Sequence, residues 1–408
     1  MDGCDRRRKV VNIDFPRGAK VFVTGGSGFV GGRLIESLVR DFDADVTALV
    51  NRPFAGALRM ARFPIKTVFA PMTDKAAMKE AIRGCSIVFH LAYAKNGTAK
   101  EIYEITVEGT RALAEAATEC GVERFVNVST SAVYGNKKNA LIDESEPRIK
   151  WGWDYSDMKL DAENVVLDLH KNQGLKSTVL QVSGVYGPWG PVFTIAPLRQ
   201  LQAGRVGIPN EGKGVSNATY VDDVVQALLR AGVHDEAVGE IFMIKGPGRI
   251  TRREFYEHYQ RMLGRTDSMV LLKENEFGKE LRARKRKATR SLIPAAVASL
   301  KENSQFRSAL TDSGFVTPLK FARGLVRKKS ESPTGPTPAP AETSDPTGEL
   351  FLPPAFYAKY LSTETEYSNE KAKRMLGFQP QFDIDAGMAM TEQWARWARV
   401  ISGDASPS

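Results

Sequence analysis

The chain has 408 residues, 42% of them hydrophobic and 26% charged, which fits a globular protein of two domains or one large α/β domain with a smaller lobe. No run approaches the roughly 18 apolar residues of a bilayer-spanning helix, and the basic start MDGCDRRRKVVNIDFPRG lacks the apolar segment of a secretory signal. The net charge of +9 is local: residues 273–329 carry 15 Lys and Arg against 5 Asp and Glu, so the remainder is near neutral and nucleic acid is not an expected partner.

Cys4, Cys85 and Cys120 are too few for a disulfide framework, which suits a reducing cytoplasm. His90, His170, His234 and His258 lie far apart, without metal-ligand spacing, and no metal is expected.

In chain order, Lys20–Val23 reads as a strand, followed by TGGSGFVG (Thr24–Gly31) and a helical pattern to Arg40. Strand, glycine turn and helix form the context of a phosphate-binding loop. Gly25 allows the tight turn, Gly28 lets backbone approach a pyrophosphate, and Gly31 lets the helix pack close to the sheet. Ser27, Phe29 and Val30 complete the stretch expected to hold a dinucleotide, whose phosphates would face the helix N-terminus. The next strand, Val46–Val50, ends in Asn51-Arg52. An acidic residue there would accept from a ribose 2′-hydroxyl and repel a 2′-phosphate. Its absence, with Arg52 in reach of that phosphate, favours NADP over NAD.

Strands over Lys66–Ala70 and Ile87–Leu91, with helices over Lys75–Arg83 and Lys100–Cys120, continue the alternation. Arg124–Val128 then runs into STSAVYG (Ser129–Gly135). Such alternation predicts a doubly wound parallel sheet of the α/β class, with its site beyond the carboxyl ends of the strands. Thr130, just past a strand, then lies in the crevice that holds the glycine loop. His90 is expected to be a packing residue.

Trp151–Lys159 reads WGWDYSDMK. Tyr155 and Lys159, four apart on a helix, share one face. A phenol titrates near pH 10, and an ammonium beside it favours the phenolate; reaching pKa 7 asks about 4 kcal/mol of the surroundings. The pair suits a general base that takes a proton from an alcohol, or a general acid that returns one.

TGGSGFVG, HLAY (His90–Tyr93), STSAVYG and YSDMK, in this order and spacing, resemble the extended short-chain dehydrogenase/reductase family, of the epimerase/dehydratase kind. LQVSGVYGP (Leu180–Pro188), ATYVDDV (Ala218–Val224), GEIFMIKG (Gly239–Gly246) and KAKRMLGFQPQFDIDAGM (Lys371–Met388) extend the likeness over about 19–272 and 366–400. The resemblance implies a Rossmann-type domain over 17–187, with 217–245 returning to it. A smaller substrate lobe would be built from 188–216, 246–272 and 350–402. Thr130, Tyr155 and Lys159 would be the catalytic set, with Lys159 also on the nicotinamide ribose and Leu91, Ala92 and Val182 binding the cofactor. Tyr93, Ser131, Tyr186 and Trp189 would line the substrate pocket. The implied activity is NAD(P)-dependent oxidoreduction or epimerisation at a secondary alcohol or ketone of a sugar or nucleotide sugar in surface-polysaccharide metabolism. The helices 100–120 and 154–173 would form the homodimer face common among relatives.

Departures narrow the reaction. Ser131-Ala132 replace the Asp-Glu pair of the nucleotide-sugar dehydratases and the glutamate of the sugar-acid decarboxylases, which argues against both activities. Gly184 and Ser216 stand where epimerases place an Asn and an Arg on the sugar diphosphate. Gln181 stands for a frequent Arg, Thr106 for a structural Asn, and Pro71 for an adenine-side Asp. None of these removes the hydride chemistry, but they keep open a 3β-hydroxysteroid-type or dihydroflavonol-type dehydrogenase associated with membrane surfaces. The other alternative, a non-catalytic dinucleotide-sensing or RNA-binding relative, has the intact Tyr155–Lys159 pair against it.

Residues 273–349 break the pattern as a basic insert and a Pro-rich linker, SESPTGPTPAPAETSDPTGE (330–349), of disordered composition. An amphipathic helix is expected over Ser291–Leu310. Residues 280–329 would serve either as a partly ordered lid or as a contact to an anionic membrane surface, with the protein peripheral there. Few interleaved aromatics make the insert a poor base-stacking platform. Leu350–Leu361 (LFLPPAFYAKYL) returns apolar and is expected to dock on the substrate lobe.

Overall fold

The computed structural model describes residues 13–50, 59–137, 140–283 and 350–402. Asn51 and Arg52, the helix expected over Ser291–Leu310 and the Pro-rich linker lie outside the described residues, as does all but the first four residues of the 280–329 stretch.

Seven parallel strands form the centre: β1 (Lys20–Thr24), β2 (Asp45–Val50), β3 (Lys66–Phe69), β4 (Ile87–His90), β5 (Arg124–Thr130), β6 (Ser177–Val182) and β7 (Ile241–Ile244), in the order β7-β6-β5-β4-β1-β2-β3. The doubly wound α/β sheet expected from the alternation is present. β4 (IVFH) and β6 (STVLQV) are buried along their whole length, as strands covered on both faces must be. One face packs on the helices Phe29–Phe42 and Val221–Ala231, the other on Lys75–Ala81, Gly109–Glu119 and Asp154–Gln173. The chain leaves the sheet at β3 and returns beside β1 at β4, so the strand order reverses there and opens a crevice at the carboxyl ends.

Two local readings shift. Thr130 is the last residue of β5 rather than a residue beyond it. The helix expected over Lys100–Cys120 is interrupted by a π-helical turn at Glu104–Glu108. There the Thr110 hydroxyl donates to the Thr106 carbonyl, drawing on a group the helix would otherwise use.

The second lobe is built around the strand Arg205–Ile208, which pairs in parallel with Met269–Leu271 and Leu350–Phe351. Helices Ala196–Ala203, Arg252–Met262 and Ile384–Trp397 cover it with a core of Leu198, Leu201, Phe255, Tyr259 and Trp394. Thr251 and Glu254 form a reciprocal cap that fixes where the Arg252–Met262 helix begins. No helix of the described residues is long and apolar enough to cross a membrane.

Candidate active site

The glycine loop follows from steric necessity. Gly25 has φ +71°, and a Cβ there would stand 2.9 Å from the Ala92 nitrogen; at Gly31 it would stand 2.3 Å from the Gly25 carbonyl oxygen. The turn closes through Gly28 N–H to the Gly25 carbonyl at 2.9 Å. Thr24 Oγ1 accepts from the Leu91 and Ala92 amides at 3.1 and 3.2 Å, which binds the β1 and β4 ends together. His90 lies between Thr24 (2.7 Å) and Thr110 (2.8 Å), and burial pushes it down to about 3, so it stays neutral and packs. Ser27 offers its carbonyl to Arg59 at 3.3 Å, while Phe29 and Val30 pack against the second lobe.

At the end of β5 the Thr130 hydroxyl lies near enough to the Tyr155 phenol to favour its ionised form. Tyr155 is held by the first turn of Asp154–Gln173, where Asp157 accepts from the Trp151 and Gly152 amides at 3.0 Å each. Lys159, one turn on, is buried and donates to the Val128 carbonyl at 2.5 Å. Val182 ends β6 directly opposite Thr130. The structure therefore gathers Thr130, Tyr155, Lys159, Val182, Leu91, Ala92 and the glycine loop around one crevice.

The phenol is not tuned as the sequence suggests. Burial pushes Tyr155 up to about 12, with the nearby Thr130 hydroxyl acting against it. Burial pushes Lys159 down to about 8, with the Glu163 charge acting the other way. The ammonium rests on a backbone carbonyl, and low polarity around both groups favours their neutral forms.

Glu163, one further turn along and fully buried, accepts from Arg148 (2.6 Å), Gln181 (2.9 Å) and the Ser129 hydroxyl. Gln181 in turn accepts from Tyr134 at 2.6 Å. Thr106 accepts from the Ala94 amide at 3.1 Å, holding the segment that carries Tyr93.

The opposite side of the crevice is aromatic. Tyr93 meets Tyr155 edge-on at 5.4 Å between ring centroids, and Trp153 lies 5.3 Å from Tyr155. Trp153 also contacts Tyr360 (5.4 Å), Phe356 (6.1 Å) and Tyr357 (6.3 Å) from the helix Ala355–Ser362. The other predicted pocket residues lie elsewhere. Ser131 is fully buried beside the Tyr367 phenol, and Tyr186 is packed between Tyr220 and Phe255. Trp189, 45% exposed with φ +71°, stands between Arg59 (5.3 Å) and Trp394 (5.2 Å). Sequence reasoning missed Arg59, Trp153, Tyr357 and Tyr360. Only the aromatic density of residues 350–361 hinted at the last two.

The NAD dependent epimerase/dehydratase family profile matches residues 21–244, more than half of the chain. The chain is similar to the 4-hydroxy-2-methyl-3-oxo-4-farnesyl-3,4-dihydroquinoline-1-oxide ketoreductase of Stigmatella aurantiaca, at 27% identity over 58% of this chain and 71% of that one. It is 30% identical to a UDP-N-acetyl-alpha-D-glucosaminuronate decarboxylase of Bacillus cytotoxicus, over 55% of this chain and 74% of that one. Among solved structures, the UDP-glucuronic acid 4-epimerase from Bacillus cereus in complex with NAD shares the fold. Its TM-score is 0.64 at 17% identity, covering 93% of this chain and 99% of that one.

Proposed function

Because the chain belongs to the NAD dependent epimerase/dehydratase family, we propose that it is an NAD(P)-dependent oxidoreductase or epimerase acting on a secondary alcohol or ketone, with a sugar or nucleotide sugar as the first substrate class. The observation that carries this reading is the placement of the Tyr155 phenol beside the Thr130 hydroxyl at the carboxyl end of β5, with the Lys159 ammonium buried behind them.

In the reductive direction Tyr155 gives its proton to the substrate oxygen while Thr130 donates a hydrogen bond to the same atom. Lys159, still protonated at pH 7 with its pKa near 8, opposes the negative charge left on the phenol. A bound nicotinamide supplies the hydride chemistry. With Tyr155 at about 12 the phenol is protonated at rest, which suits giving a proton rather than taking one.

The glycine cradle fits a dinucleotide: Gly25, Gly28 and Gly31 leave no room for a Cβ without contact at 3.0 Å or less. NADP is favoured over NAD, because Asn51-Arg52 present no carboxylate to a 2′-phosphate and Arg59 adds a cation beside Ser27. We read the reaction as ending at oxidoreduction or epimerisation, since Ser131-Ala132 supply no carboxylate for dehydration or decarboxylation.

A second reading, reduction of a polycyclic or prenylated ketone, draws on the aromatic collar of Tyr93, Trp153 and Tyr360. Nucleotide sugars and hydroxysteroids screened against NADPH, NADH and their oxidised forms, followed by nicotinamide absorbance, test both readings. Retention of dinucleotide through gel filtration marks epimerisation; exchange marks net oxidoreduction. No turnover with any substrate, together with no dinucleotide binding, would overturn the proposal.

A further inference from the structure

Arg252 is only 2% exposed, yet among the described residues no carboxylate pairs with it. Its guanidinium lies over two rings, 5.5 Å from the Tyr360 centroid and 6.0 Å from that of Phe193. One Nη reaches Ser216 Oγ at a long 3.4 Å, and Nε is buried without a partner. The Tyr256, Tyr357 and Tyr367 phenols lie close enough to feel its charge. An ion without a counter-ion is costly to bury, and cation–π contacts offset only part of that.

Two small residues make the space for this arrangement. A Cβ at Gly184 would stand 3.3 Å from the Phe193 ring, so Phe193 occupies the place a side chain at 184 would take. Ser216 leaves room for the guanidinium itself. These are two of the positions at which the sequence departs from its resemblance, the two expected to hold a sugar diphosphate, and the structure places both against the Phe193–Arg252 pair. The site is contiguous with the chemistry, since Tyr360 also contacts Trp153, and Trp153 contacts Tyr155.

We propose that Arg252 is the anchor for an oxyanion carried by the substrate, a phosphate or a carboxylate, at the far end of the crevice from Tyr155. The inference rests on the oxidoreductase reading and adds the charge of its substrate. Because the guanidinium is closed off in the free protein, binding displaces the Tyr360 ring and with it the helix Ala355–Ser362. A planar guanidinium with unfilled donors suits bidentate recognition of such a group, and its aromatic surroundings strengthen the pairing by excluding water.

The test is calorimetric titration of the full-length protein with UDP and, separately, with glucuronate, in parallel with NADPH binding by fluorescence. UDP binding identifies a phosphate anchor, glucuronate binding a carboxylate anchor. In either case Arg252→Gln is expected to weaken that binding at least 30-fold while NADPH binding is unchanged. Ser216→Asp places a carboxylate on the guanidinium. It is expected to raise the melting temperature and abolish anion binding, a pair of effects that a purely structural arginine would not produce. If neither anion binds the wild type, or if Ser216→Asp binds the anion as well as wild type does, the proposal is overturned, whether or not Arg252→Gln folds. Loss of NADPH binding in the wild type would instead count against the oxidoreductase reading itself.

Discussion

The two walls of the crevice are made of different materials. One is the sheet wall: Thr24, Thr130 and Val182 at strand ends and Lys159 and Glu163 behind them, tied by parallel register and buried hydrogen bonds. The other is an aromatic wall of Trp153, Phe356, Tyr357 and Tyr360, whose members come from distant segments and meet through ring contacts. A hydrogen-bonded wall holds atoms to fixed positions, whereas rings in van der Waals contact tolerate rearrangement. Chemistry is therefore expected to sit on the first and substrate choice on the second.

That division can be broken in four ways. Lys159→Met is expected to lower kcat roughly a thousandfold with every substrate, the scale of a lost acid/base partner. Lys159 carries its proton below a pKa near 8, so wild-type reduction should hold below that pH and fall above it, and the variant should lack this limb. The sign for stability is opposite. The folded pKa lies below the free value of 10.5, so the native state binds fewer protons and stability rises with pH between about 8 and 10.5. A kcat loss confined to one substrate would contradict the division.

Glu163→Ala leaves Arg148 and Lys159 facing no carboxylate and is expected to cost about 3 kcal/mol in urea unfolding. The alkaline limb should also move to lower pH, because Glu163 is what holds the Lys159 pKa up. Trp153→Ala, on the aromatic wall, should raise KM roughly tenfold for substrates with a ring or sugar face, with kcat on a small ketone kept. Equal loss of kcat on all substrates would place Trp153 with the chemistry instead. Thr106→Val strands the Ala94 amide and should cost about 1 kcal/mol of stability with little change in kcat.

The sheet wall was legible because its signals are local. A glycine spacing, a strand-end Thr and a Tyr–Lys pair each fit within one turn or one strand, and Gly25, Thr130 and Tyr155 meet where the alternation places them. The phenol's environment was not legible. Whether the Lys159 ammonium rests on Tyr155 or on the Val128 carbonyl depends on tertiary placement that four-residue spacing does not encode. The aromatic wall was hidden for the same reason. Trp153 and Tyr360 are about two hundred positions apart in the chain, and nothing in LFLPPAFYAKYL specifies which ring it will meet. Ser131 and Tyr186 sit in motifs, yet burial against Tyr367 and Phe255 sets them in packing roles.

The most direct measurement is single-turnover hydride transfer by Tyr155→Phe, using the best substrate of the screen, alongside NADPH affinity of the same preparation. The expected result is transfer slowed at least a hundredfold with affinity for NADPH unchanged. Transfer at the wild-type rate would contradict the assignment of the proton to Tyr155.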